Sequence, residues 1–342
     1  MSDADKNFKR LIAIVAEGQS LDETQAAEAF NIVMSGEATP SQIAGFLMAL
    51  RVRGETVNEI TGAARTMREK MLPVRAPADA MDVVGTGGDG IGTQNISTAT
   101  ALVVAGCGIP VAKHGNRAAS SKSGAADVLS ELGINLEADI ATVERAIREA
   151  GIGFLLAPVY HSAMRYVGPA RVEMGVRTIF NILGPLANPA SVKRLLVGTF
   201  DRRWVEPMAQ VLGNLGVERA WVVHGADGLD ELTTTGSSYV AELADGKVTM
   251  KEVSPKDAGL PLATLDDLKG GTPAENAASI RDLLGGKKGA FRDIALFGAA
   301  AALYIAGKTP ELGDGVSVAA AAIDDGKSAA ALEKLSAITS GS

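Results

Sequence analysis

Apolar residues recur at intervals of three and four along the first seventy positions: Phe8, Leu11, Ile12 and Val15, then Ala26, Phe30, Val33 and Met34, then Ile43, Phe46, Leu47 and Leu50, then Ile60, Ala63, Ala64 and Met67. That spacing keeps apolar side chains on one stripe and predicts four amphipathic helices between about Asp5 and Met71. Stop and start residues agree with it. Ser20 or Asp22, Thr39 followed by Pro40, and Glu55-Thr56 stand where the second, third and fourth helices need caps, and Gly18, Gly36 and Gly54 follow the first three. A small helical domain over residues 1–71 is expected, a bundle whose spare apolar faces suit association with a second copy.

Leu72 to Ala80, with Pro73 and Pro77, reads as a linker. Beyond it the period changes. Short continuous apolar runs at Met81 to Val84, Ile109 to Ala112, Ile152 to Leu156, Arg194 to Gly198 and Ala220 to Val223 predict buried strands. Helical patterns lie between them at Thr98 to Val104, Gly124 to Leu132, Ile140 to Glu149 and Trp204 to Leu215. Strands without alternation, separated by helices, imply an α/β domain over 72–342 with a central, mostly parallel sheet covered on both faces. Alternating runs from Tyr239 to Val253 about Asp245-Gly246 predict an exposed hairpin, and the Ala-rich remainder beyond Thr272 is helical. Ligands of such sheets lie beyond the carboxyl ends of the strands. Four polar motifs follow predicted strands there, and their convergence argues for a single site.

Composition narrows the class. The 342 residues are 46% apolar but only 4% aromatic, an aliphatic, Ala- and Gly-rich core. No charged-then-apolar leader and no run of about 18 apolar residues is present, so neither export nor a membrane span is expected. The single cysteine, Cys107, cannot form an internal disulfide and is expected buried in a reducing compartment, the cytoplasm. A net charge of −7 argues against a general nucleic-acid binder and makes the cations Lys113, Arg117 and Lys122 a local pocket.

The first motif is Asp82-Val83-Val84-Gly85-Thr86-Gly87-Gly88-Asp89-Gly90, followed by Asn95-Ile96-Ser97-Thr98. A strand, a glycine turn and a helix start bring bare N–H groups and a positive dipole end together, a seat for phosphate. Gly85, Gly87 and Gly90 also satisfy G-x-G-x-x-G. A dinucleotide fold, however, needs an acid about 20 residues on to hold the ribose hydroxyls, and the next apolar run ends in Lys113-His114. Asp89 would moreover repel a phosphate unless a cation lay between them. A metal-bridged, highly charged ligand fits better.

Lys113 to Asp127 gathers three cations, three serines, Asn116 and two glycines before a helix capped by Ser123, the donor set that a phosphorylated sugar requires. Asp227-Gly228-Leu229-Asp230-Glu231 offers three carboxylates on a loop, of which adjacent Asp230 and Glu231 suit magnesium held through water and substrate phosphates. Arg165, Arg171 and Arg177 lie between His161 and Pro189, with Gly168-Pro169 restarting a helix near Arg171, and an arginine fork suits a substrate carboxylate. The three histidines, His114, His161 and His224, show no metal-ligand spacing. The reading stands only if Asp230 and Glu231 lie beside the Gly85 to Asp89 turn.

Taken together, these motifs resemble the anthranilate phosphoribosyltransferase family, which shares a structural class with the pyrimidine nucleoside phosphorylases. The two strand-loop motifs, Lys113-His114-Gly115-Asn116-Arg117, Arg171, the run from Arg177 to Leu186 and Asp227 to Glu231 occur in family order across residues 5 to 335. The resemblance implies a homodimer of small helical and large α/β domains, with the helical segment at about 162–190 packing on the small domain. It also implies magnesium-dependent transfer of 5-phosphoribose from 5-phosphoribosyl 1-diphosphate to the amine of anthranilate, in tryptophan biosynthesis. By that similarity Gly85, Gly88, Asp89, Thr93, Asn95, Ile96, Ser97, Thr98, Lys113, His114, Gly115, Asn116, Arg117, Ala118, Ala119, Ser120, Ser121 and Ala125 bind the donor. Ser97, Asp230 and Glu231 correspond to metal positions, and Gly85, Asn116 and Arg171 to anthranilate positions. Ala125 stands where many relatives carry serine, so any contact there runs through backbone. A nucleoside phosphorylase and a non-catalytic nucleic-acid-binding relative are the competing readings. The paired acids argue against both, and the missing basic face against the second.

Overall fold

A computed structural model describes residues 3–117 and 123–341. The chain opens with four helices, α1 (Asp3–Ala16), α2 (Glu23–Met34), α3 (Pro40–Arg53) and α4 (Val57–Lys70). Asp22, Thr39 and Thr56 cap the last three, each accepting the backbone N–H three residues on while Gln25, Gln42 and Glu59 return to the cap's own N–H. Asp22, not Ser20, and Thr56, not Glu55, are therefore the caps. Gly18, Gly36 and Gly54 end the preceding helices at φ of +83°, +77° and +94°, a region costly for residues with a Cβ. Phe46 meets Phe8 and Phe30 edge-on with centroids 5.3 and 5.6 Å apart.

The elements that follow are β1 (Met81–Gly85), α5 (Ile96–Gly106), β2 (Val111–Gly115), α6 (Ala125–Glu131), α7 (Ile140–Glu149), β3 (Ile152–Leu156), α8 (Ala157–Tyr160), α9 (Gly168–Met174), α10 (Phe180–Leu183), β4 (Arg194–Gly198), α11 (Val205–Asn214), β5 (Arg219–Gly225), β6 (Ser238–Ala244), β7 (Lys247–Val253), α12 (Pro273–Leu284), α13 (Ala290–Ile305), α14 (Leu312–Asp324) and α15 (Lys327–Ser340). They form one seven-stranded sheet in the order β3-β2-β1-β4-β5-β6-β7, parallel up to β5 and antiparallel after it. One face carries Val83, Val111, Leu196 and Val223 against α5, α6 and the four C-terminal helices. The other carries Val84, Ala112, Leu195, Val197 and Val222 against α7, α11 and the helical bundle. Phe180 of α10 reaches Phe30 at 5.7 Å, so the segment after β3 shares the bundle's core.

Three local expectations need correction. The second strand starts at Val111 rather than Ile109, because Pro110 has no N–H to give; its carbonyl instead accepts Met81 N at 2.9 Å. Lys113 and His114 thus belong to the strand, buried, rather than to the loop beyond it. The hairpin is not a free excursion: β6 pairs along the whole of β5, from Arg219↔Ala244 to Gly225↔Ser238, and leaves β7 as the sheet edge. The cap of α6 is Gly124, whose N–H is taken by Asp127 Oδ2 at 3.0 Å, rather than Ser123.

Small residues let the C-terminal helices approach closely. A Cβ on Gly298 would stand 2.9 Å from Thr100, and one on Gly315 would stand 2.8 Å from Ala300. Close approach of this kind fills a core that has few rings. Cys107 follows α5 half-buried, and burial pushes its thiol up to about 11. Among the described residues no helix is long and apolar enough to cross a membrane.

Candidate active site

At the carboxyl ends of the strands, the acidic loop crosses the glycine turn. β1 and β4 pair from Met81↔Arg194 to Gly85↔Gly198, and Thr86 N extends the ladder to Gly198 O at 2.9 Å. Asp230 then drops onto this edge, its Oδ2 accepting Gly87 N at 2.6 Å. Only glycines permit the approach. A Cβ on Gly85 would lie 2.5 Å from Asp230 Oδ2, and one on Gly198 would overlap the Asp230 carbonyl. Asp89 folds back to the same place, with Oδ1 accepting Ile91 N at 3.1 Å and Oδ2 3.5 Å from Asp230 N. Asp230 therefore lies against the Gly85 to Asp89 turn, with Glu231, next in the chain, hydrogen-bonded to Ser97 and within electrostatic reach of Asp89.

The three carboxylates of the acidic loop divide between two jobs. Asp227 turns inward, accepting Leu229 N at 3.2 Å and the hydroxyls of Thr233 and Thr235 at 2.6 and 2.7 Å, which shapes the loop. Asp230 and Glu231 face the glycine turn and the start of α5. Burial, with Glu231 and Asp89 nearby, raises the Asp230 carboxyl well above its ordinary range. Burial likewise pushes Glu231 up to about 7, although Lys113 pulls it down and Ser97 donates to it from both backbone and hydroxyl.

Lys113 completes this group from the other side. Its Nζ, buried, donates to Val83 O at 2.7 Å and Ser97 Oγ at 3.3 Å, so a polar path runs Lys113, Ser97, Glu231. Burial lowers the ammonium's pKa while Asp82, Glu231 and Asp230 hold it up. Asp82 lies beneath, fully buried, its carboxyl raised to about 6 by burial.

Asn95, at the start of α5, accepts Ser123 Oγ at 3.2 Å and Asn276 Nδ2 at 2.8 Å, which ties the start of α5 to α12 and to the segment before α6. Thr93 bridges to Lys269, and Ile96 and Thr98 are buried in the helix's first turn. Gly88 and Gly115 stand at the two strand exits. Asn116 accepts Arg117 N through Oδ1 at 2.8 Å, and Arg117 is paired with Asp127 at 3.3 Å. Ala125 opens α6. Ala118, Ala119, Ser120, Ser121 and Lys122 lie outside the described residues.

On the remaining wall, the rings of His114 and His161 meet at a tilt of 57° with centroids 5.1 Å apart. Burial lowers them to about 3 and about 4, so both rings are neutral at pH 7. Arg171, half-buried on α9, lies 5.6 Å over the Phe180 ring, and burial lowers its pKa. No hydrogen bond among the described residues joins it to Gly85 or Asn116. Of the other arginines, Arg165 stacks on Tyr166 at 4.8 Å, whereas Arg177 stacks on Phe200 at 4.2 Å and donates to Gly88 O, while Arg51 of α3 donates to Arg177's own carbonyl. That double contact was not foreseen; Gly198, Asp82 and Asn188 were missed as well. A charged residue inside the apolar run Met81 to Val84 was the visible signal for Asp82.

Among the described residues no three His, Cys, Asp or Glu side chains converge to hold an ion by themselves. Asp230, Glu231 and Ser97 nevertheless form a hard-oxygen set whose half-buried carboxyls are raised by desolvation and by one another, so that added positive charge would favour their ionised form. That suits a cation completing its shell with water and phosphate oxygens, as magnesium does.

Comparison with known proteins agrees with this geometry. Residues 77–329 match the model of the glycosyl transferase family a/b domain, and residues 9–71 that of its helical bundle domain. The chain is 61% identical over 332 residues to an anthranilate phosphoribosyltransferase of Rhodospirillum rubrum, covering 97% of this chain and 96% of that one. The structure of the Thermus thermophilus anthranilate phosphoribosyltransferase superposes with a TM-score of 0.92 at 46% identity, covering 96% and 99% of the two chains. That of the Saccharomyces cerevisiae protein in complex with PRPP and Mg gives 0.90 at 27% identity, over 100% and 99%. The yeast protein is also known in complex with 4-fluoroanthranilate, with a TM-score of 0.89 at 25% identity over 99% of each chain.

Proposed function

The chain belongs to the anthranilate phosphoribosyltransferase family, and from that premise we propose that its cleft performs magnesium-dependent transfer of 5-phosphoribose from 5-phosphoribosyl 1-diphosphate to anthranilate. The products are N-(5-phosphoribosyl)anthranilate and diphosphate, and the step serves tryptophan synthesis. The observation that carries the reading is the meeting of Asp230 and the glycine turn at 2.6 Å, with Lys113 and Ser97 close behind. An acidic protein thereby offers one polyanion both bare amides and carboxylates able to share a cation with it.

In this reading the amides of Gly88 and Asp89, the start of α5 from Asn95 to Thr98, and Lys113 to Ser121 grip the donor's phosphates. Asp230, Glu231 and Ser97 would hold the metal. Magnesium, when bound, would neutralise the charge that develops on the departing diphosphate. Arg171 and Asn116, with Gly85, hold anthranilate by its carboxylate so that its neutral amine faces the ribose C1. The amine needs no base to become a nucleophile, and His114 and His161, uncharged, add no competing cation beside it. Fixed alignment of amine, C1 and leaving group supplies most of the rate.

The helical layer exposes Val52 of α3 and Val172 of α9, at 81% and 82%. We assign this side to a homodimer contact of a cytoplasmic protein, as the bundle's spare apolar faces suggest.

Anthranilate fluorescence tests the assignment. Mixing protein, anthranilate, 5-phosphoribosyl 1-diphosphate and magnesium should extinguish it, and a chelator should stop the loss. Glu231→Gln should slow it by on the order of 10²-fold, the usual cost of removing one electrostatic partner from such a site. Undiminished fluorescence with the folded protein would overturn the proposal.

A further inference from the structure

β1 and β2 pair only at Met81↔Val111, whereas β1 with β4 and β2 with β3 each pair over five residues. Past that single rung the two strands part. The backbone groups left without a ladder partner are met instead by side chains. His114 N donates to Asp82 Oδ1 at 3.1 Å, Lys113 Nζ to Val83 O at 2.7 Å, and Asn188 Nδ2 to Ala112 O at 2.8 Å. Asn188 closes the set by donating to Asp82 Oδ2 at 2.7 Å, while its own Oδ1 accepts Ala190 N at 2.8 Å. Asp82, Lys113, His114 and Asn188 are all buried, at 0%, 2%, 3% and 1% exposure.

An acid sealed between two strands of a parallel sheet has to be explained, since a branched aliphatic residue would fill the same volume at less cost in desolvation. Here the carboxylate occupies the fork where the donor-gripping segments leave the sheet. Its one oxygen holds the N–H of His114, the residue from which the Gly115 to Arg117 segment departs, and its other oxygen is anchored by Asn188. Its charge lies beside the ammonium of Lys113, which turns to the opposite face and reaches Ser97.

We propose that Asp82, locked by Asn188, is a positioning residue for the transfer reaction: it sets the gap between β1 and β2 and thereby the separation of the glycine turn from the Lys113 to Arg117 segment. The inference rests on the functional reading above. It acts chiefly on the donor, because the two segments that it spaces carry most of the donor contacts in that reading; Gly85 and Asn116 on those segments also face anthranilate, whereas Arg171 on α9 lies outside the fork.

The test is steady-state kinetics of Asp82→Asn against the unmodified protein, with folding checked by circular dichroism and thermal unfolding. Asparagine keeps the shape but turns one accepting oxygen into a donor that faces a donor. The KM for 5-phosphoribosyl 1-diphosphate should rise at least tenfold, and by a larger factor than the KM for anthranilate, which Arg171 outside the fork still supports. A merely structural role would lower the active fraction, reducing kcat and leaving both KM values in place; that result overturns the inference. Should Asp82→Asn not fold, Asn188→Ala decides by the same criterion, since it frees one Asp82 oxygen and keeps the charge. If the unmodified protein transfers no phosphoribose, the functional reading fails first. If it does transfer and the variants keep their donor KM, only the role of Asp82 fails.

Discussion

The two sides of β1 solve the same problem in opposite ways. Toward β4 the strands pair to their ends, and the site is made by removing side chains: Gly85 and Gly198 let the backbone and carboxylate of Asp230 rest directly on the ladder. Toward β2 the strands separate after one rung, and the site is made by adding side chains, with Asp82, Lys113 and Asn188 standing in for the lost backbone bonds. One edge brings negative charge to the cleft by close contact, and the other brings positive charge by filling a fork. The contrast predicts different tolerance. The glycine side has no room to adapt, whereas the polar side can lose a bond and still stand.

The largest effect should come from Gly198→Ala. Its methyl would overlap the Asp230 carbonyl, so the acidic loop must move or the strand must yield. Overpacking of this kind costs about 1–3 kcal/mol or more, and transfer activity should fall by over a hundredfold. Thermal unfolding and the fluorescence assay report the two together; near-normal turnover would mean that the Asp230 contact is dispensable.

Acid should act next, through the fork's neighbour. His114 and His161 have folded values near 3 and 4 against an unfolded value of 6.5, so their contribution is complete above pH 6.5 and is lost as pH falls toward those lower values. Between pH 7 and pH 5 each ring should cost about 2 kcal/mol, at roughly 1.4 kcal/mol per pH unit. Asp82 and Glu231 oppose this, since their raised values favour the folded state as pH drops. Comparison with His161→Gln isolates one ring. Urea unfolding of that variant should lose about 2 kcal/mol less stability between pH 7 and pH 5 than the unmodified protein does, and an identical loss would mean that the ring is charged in the fold.

The narrowest effect, confined to one substrate, should be that of Arg171→Ala, which touches neither side of β1. Loss of a charged partner to a carboxylate is worth about 1.5–3 kcal/mol, so the KM for anthranilate should rise ten- to a hundredfold. The donor KM and the melting temperature should hold. Unchanged anthranilate saturation would remove Arg171 from that role.

Much of this was legible in the chain. The caps Thr39 and Thr56, the strands Ile152 to Leu156 and Arg194 to Gly198, and the convergence of the glycine and acidic loops follow from local spacing. Other features depend on partners distant in sequence, which spacing cannot supply. Nothing local separates Asp227, turned into its own threonines, from Asp230 and Glu231 just beyond it. Lys113 and His114 resemble loop residues until the fork that buries them is known, and the alternation of Tyr239 to Val253 marks a hairpin without revealing that β5 waits beside it.

Arg177 gives the helical layer a hand on the glycine turn: its guanidinium grasps Gly88, while its carbonyl is grasped by Arg51 from α3. Neither end can shift freely while both bonds hold. Whatever free energy a ligand gains by ordering the turn is therefore shared with the orientation of the bundle, and the obligation runs equally in the other direction.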